Sequence, residues 1–151
     1  MAYALGAWAS WIAWHDWRTR RISNASLILV LGPLLLSLVL SQRSLLQVGV
    51  VDALWGLCAA TAVTLPGYLA GVLGAGDVKY AGVLGLLLGG VPTLWMLLMF
   101  ALLLGAFSAM TIWRHQDDDQ PLKRRVAAAP ALTLGFLSQL FAHQLFDGIF
   151  A

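Results

Sequence analysis

A chain of 151 residues that is 60% hydrophobic and 11% charged, against about 25% charged in a soluble domain, lacks the polar surface to coat a water-soluble globule. Its formal charge of +2 comes from short basic clusters abutting apolar runs rather than from a basic face, which argues against a nucleic-acid partner. The single cysteine, Cys58, excludes a disulfide framework and a Cys-based zinc site and reads as a small packing residue. What remains is an all-α, polytopic membrane bundle, one domain over residues 1–151. The length allows about five to seven spans of roughly 20 residues.

The first span covers about residues 2–17. No basic residue precedes Arg18, so it reads as a span and not as a signal peptide with its basic start. RTRRISN at 18–24 is a basic turn. Span two covers about 25–41 with Gly32 and Pro33 inside it, and SQRS at 41–44 breaks it. Span three runs over about 45–72, with a bend allowed at Pro66 and Gly67. Residues 74–77 interrupt the apolar run, and a short span four follows over about 78–90. GVPT at 90–93 reads as a tight, uncharged turn, leading to span five over about 94–113. RHQDDDQPLKRR at 114–125 is the long hydrophilic loop, its DDD a solvated charge run, before span six over about 126–150.

Six spans and the excess of Lys and Arg in cytoplasmic loops fix an orientation. The segments 18–24, 74–79 and 114–125 fall on one side and hold eight of the nine basic residues; Arg43 alone falls on the other. The basic side is expected to face the cytoplasm, with both termini outward. Trp14, Trp17 and Trp113 stand at cytoplasmic span ends as an aromatic belt would, whereas Trp8 and Trp11 read as deeper packing residues.

All seven acidic residues are aspartates. Three lie in the hydrophilic loop, and Asp52 and Asp147 read as interfacial. Asp16 and Asp77 each stand at the cytoplasmic end of an apolar stretch, where a charge is costly and tends to be functional. The plainer explanations are an Asp16–Arg20 pair one turn apart and an Asp77 that pairs with Lys79 or faces water. GAGDVKY at 74–80 weighs toward function for Asp77, because Gly74 and Gly76 permit irregular backbone. At membrane depth such backbone survives only around a protein-lined or wet pocket. A glycine-rich packing face, with Gly67, Gly71, Gly82, Gly85 and Gly89, is the competing explanation. Two carboxylates that approach closely do not both ionise easily; one is then a base that activates water and the other an acid that polarises an amide carbonyl. The linear sequence places both at one depth but does not bring them together.

HDWRTRRISN at 15–24 followed by GAGDVKY at 74–80 resembles the type IV prepilin peptidase family. That family ends a span in a first catalytic Asp, follows it with a basic turn, and places a second in Gly-x-Gly-Asp, often followed by x-Lys. AAAPALTLG at 127–135 resembles its Pro-containing start of the last span, so the likeness runs from about Trp11 to Gly135. Ser23 stands where the family usually has Pro. The extra N-terminal half and four-cysteine cluster of the longer bifunctional members are missing, so the likeness is to the short, peptidase-only members of Flp-type pili.

The resemblance implies a membrane aspartyl endopeptidase in the bacterial inner membrane. Its substrate would be a prepilin with a basic leader and an apolar helix, cut between the two at the cytoplasmic face. It implies Asp16 and Asp77 as the catalytic pair, with Gly74 and Gly76 shaping the pocket. Lys79 is open to two roles, a snorkelling lysine or a partner for a substrate acid. Pro130 belongs to a Pro-Ala-Leu tripeptide also found in presenilin-like proteases, and a helix kink explains it equally well. No cofactor or metal set is expected. The competing classes are a signal-peptide-peptidase-like protease, a proton-coupled transporter, whose acids belong nearer the midplane, and a non-catalytic pilus assembly factor.

Overall fold

The computed structural model describes residues 2–19, 24–114 and 128–150. Among the described residues the chain forms six helices and no strand: α1 Ala2–Thr19, α2 Asn24–Ser41, α3 Val50–Leu69, α4 Ala75–Leu88, α5 Gly90–Arg114 and α6 Ala129–Phe150. Arg20, Arg21 and Ser23 of the basic turn and residues 115–127 of the hydrophilic loop lie outside the described residues. So do the side chains of Trp113, His143 and Asp147.

α2 and α3 are long and apolar enough to cross a membrane, yet less than a third of each apolar window is buried inside the bundle. Large side chains such as Leu29, Leu36, Val39, Leu40, Val51 and Trp55 point outward. A helix that is apolar all round and mostly uncovered is a lipid-facing span. Helices are also the elements that satisfy their own backbone polar groups in a bilayer.

α4 is the central element. Asp77 and all of residues 80–88 are buried, and α2, α3, α5 and α6 surround the helix. Its closest neighbour is α3, which approaches to backbone contact. A Cβ at Gly56 would lie 2.2 Å from the Gly85 carbonyl oxygen, and one at Gly85 would lie 2.3 Å from that of Gly56. α1 packs on α6 and α6 on α5. Trp8 ties α1 to α2 by donating from Nε1 to the Ser26 carbonyl at 2.9 Å.

Three expectations from the sequence are corrected. Span three starts as helix only at Val50. Before it, Ser44 N–H donates to Val48 O at 2.7 Å, and the buried Ser44 hydroxyl donates to Leu87 O at 3.0 Å. It also accepts from Leu46 N–H at 3.2 Å, and such side-chain bonds compete with helix. GVPT is the first turn of α5 rather than a turn between helices; Pro92 sits where no N–H is needed, and the reversal is made by Gly89 alone at φ +81. Trp11 and Cys58 face outward. Asp52, exposed in the first turn of α3, also accepts from the Gly90 N–H at 3.1 Å and so places its charge at the N-terminus of α5.

Ser44→Ala removes the hydroxyl that holds this turn on α4 and is expected to cost about 1–2 kcal/mol, read as a lowered Tm in detergent.

Candidate active site

Asp77 owes its place to the way α4 begins. α3 ends through Ala70 and Gly71, the latter in the left-handed region at φ +75, with Val72 N–H and Leu73 N–H both returning to Gly67 O. The chain is then extended at Gly74 (φ −83, ψ 154), the N-cap of α4. The conformational freedom expected at Gly74 and Gly76 is therefore used at Gly71. Gly74 is small for another reason: a Cβ there would meet Asp77 Oδ2 at 3.1 Å. Gly76 lies in the first turn of α4. From the third helical position Asp77 reaches back so that Oδ2 accepts the Gly74 N–H at 2.9 Å, one half of a capping box. The carboxylate is 8% exposed.

Asp16 lies near the end of α1 on the face that carries Leu5, Ala9 and Ile12, all buried, and is 4% exposed. Its helical period turns it into the bundle. The backbone N–H of Ala129, at the start of α6, faces this carboxylate. Oδ2 of Asp16 is buried without a hydrogen-bond partner among the described residues. His15 points elsewhere, its ring 5.5 Å from that of Trp11. Arg18 lies over the Trp14 ring at 5.1 Å, as befits an interfacial pair.

The fold thus brings together what the sequence leaves apart. Asp16 and Asp77 occupy the same end of the bundle, and the charge on Asp16 bears on both Asp77 and the Tyr80 phenol. Below the carboxylates lies a group that sequence reasoning missed. Tyr80, fully buried, shares a 2.8 Å hydrogen bond with Thr133, and its ring centroid is 5.8 Å from that of Trp8. The signal was present inside GAGDVKY: Tyr80 follows Asp77 by three residues and so shares its helix face, and a buried phenol needs a partner.

Pro130 is the second residue of α6, where a helix accepts Pro without a kink. With Ser10, Ala13, Trp14, Trp17 and Leu134 it lines an apolar groove of about 370 Å³ between α1 and α6. Lys79 is exposed and makes no ion pair with Asp77. Lys79→Gln is accordingly expected to change stability by less than about 0.5 kcal/mol by thermal unfolding.

These features define a class: a helical membrane protein with two buried carboxylates, Asp16 and Asp77, at one end of the bundle. The chain belongs to the type IV leader peptidase family, whose model matches residues 3–113. That stretch includes both aspartates and stops short of Pro130 and Thr133, so the resemblance expected through Gly135 is matched as far as α5. No curated protein and no solved structure matches the chain. Family membership makes it a peptidase of leader-bearing, prepilin-like substrates in general, and together with the apolar helices it makes the chain an integral membrane protein.

Proposed function

We propose that the chain is an aspartyl endopeptidase that removes the basic leader from Flp-type prepilins at the cytoplasmic face of the bacterial inner membrane. The observation that supports the proposal is the burial of both Asp16 on α1 and Asp77 on α4 at the same end of the bundle, close enough for the charge of one to bear on the other.

One carboxylate takes a proton from water while the other, protonated, donates to the scissile carbonyl oxygen. The water oxygen bonds to the carbonyl carbon and a tetrahedral diol forms. Its collapse breaks the C–N bond, and a proton passes to the leaving amine. Either residue serves as the base, because the pair titrates jointly. The backbone N–H groups of Gly74 and Ala129 orient the two carboxylates, and the unpartnered Oδ2 of Asp16 is free to meet water or substrate. Gly74 leaves the space beside the Asp77 carboxylate that a Cβ would fill, Gly76 stands with Asp77 in the first turn of α4, and Pro130 borders the neighbouring groove from α6. Lys79, exposed on α4, would either snorkel to the interface or meet an acidic substrate group.

Co-expression with a tagged Flp-type prepilin, read by gel shift and N-terminal sequencing, tests the substrate. One product starting at the leader junction is expected; a cut inside the apolar helix would favour the intramembrane-protease alternative. Orientation is read separately by an impermeant amine reagent. Lys79 is expected to label in inverted vesicles and not in right-side-out ones.

A further inference from the structure

We propose that Tyr80 and Thr133 form a positioning pair that sets the separation of the two carboxylates; this rests on Asp16 and Asp77 being the catalysts. Thr133 Oγ1 touches all three helices that build the site. It lies 2.8 Å from Tyr80 Oη on α4, 2.8 Å from Ala129 O on α6, and 3.4 Å from Ala9 O on α1.

The proton count gives the contacts a direction. A threonine hydroxyl has one hydrogen and a carbonyl only accepts. Thr133 therefore donates to Ala129 O, at the shorter distance, and Tyr80 O–H donates to Thr133. Each end of this chain leads to one carboxylate. Tyr80 stands one turn after Asp77 on α4. Ala129, whose carbonyl receives the Thr133 proton, is the residue whose N–H faces Asp16. Tyr80 is 0% and Thr133 3% exposed, so the bond between them is buried. Trp8, anchored on Ser26, holds the Tyr80 ring from the side.

A merely structural bond between membrane helices would also satisfy these hydroxyls. The two roles separate in kinetics. In detergent-purified enzyme, Tyr80→Phe, Thr133→Val and Thr133→Ser are compared on a synthetic peptide with a basic leader and an apolar helix. Misplacing a catalytic group by about 1 Å can cost about a hundredfold. Tyr80→Phe and Thr133→Val are therefore expected to lower kcat about ten- to a hundredfold, with KM within about twofold. The double variant should be no slower than the worse single one. Thr133→Ser, which keeps the oxygen, should return kcat to within about threefold of wild type. Folded fraction is measured by thermal unfolding, and kcat is expressed per folded molecule. An unchanged kcat per folded molecule in Tyr80→Phe and Thr133→Val overturns the positioning role, as does a Thr133→Ser as slow as Thr133→Val. Asp16→Asn and Asp77→Asn run alongside: if they cleave normally the catalytic reading fails and this one with it, whereas inactive Asp variants beside unaffected hydroxyl variants sink the positioning role alone.

Discussion

Asp16→Asn and Asp77→Asn are each expected to lower prepilin-like peptide cleavage by about 10²–10⁴-fold while leaving the protein folded, the range that loss of a positioned acid or base produces. The amide replaces the carboxyl with little change of shape. At position 77 its oxygen still accepts the Gly74 N–H, so α4 keeps its start. At position 16 the amide oxygen can still face the Ala129 N–H, and its NH2 replaces the carboxyl oxygen that has no partner, so no existing hydrogen bond is lost. The Tm of Asp16→Asn is therefore expected to equal or exceed that of wild type as activity disappears. A structural carboxylate would behave in the opposite way, losing stability and activity together. Thermal unfolding and cleavage measured on one preparation distinguish the two.

The largest stability effect is expected at the crossing of α3 and α4. Gly56→Ala and Gly85→Ala each put a methyl within 2.2–2.3 Å of a carbonyl oxygen on the facing helix. The obstacle is backbone, so no side chain can swing aside and the helices must separate. Overpacking of this kind costs about 3 kcal/mol or more, seen as a large fall in Tm in detergent. Because Asp77 rides on α4, the same displacement moves the carboxylate, and activity should fall further than the folded fraction does. Gly105→Ala is the control. Nothing lies within 4 Å of a Cβ there, and in a helix interior Ala is expected to be neutral or stabilising by up to about 1 kcal/mol.

The spans were legible because a bilayer imposes length and apolarity on each helix, and all six helices lie where the apolar runs stand. The two aspartates were legible for the related reason that charge is costly there, and their common end followed from counting spans. What a helix apolar on every side does not reveal is which face meets its neighbours. Trp11 and Cys58 were thus read as packing residues and point outward. The glycine-rich stretch held two devices at once: Asp77 at the start of α4, and the Gly85 contact with Gly56 along it. The Tyr80–Thr133 bond joins residues far apart in the chain, and local pattern carries no signal for such a pair. Ser44 shows the same limit, since its partner Leu87 O belongs to α4 and the apolar run through 45–49 looks like helix until that bond is known.

The most direct test reconstitutes the purified protein in lipid with a prepilin-like substrate and identifies the new N-terminus in wild type, Asp16→Asn and Asp77→Asn. A single cut at the leader junction in wild type, absent from both variants, is the expected result. The same cut made at the wild-type rate by either variant would contradict catalysis by the Asp16–Asp77 pair.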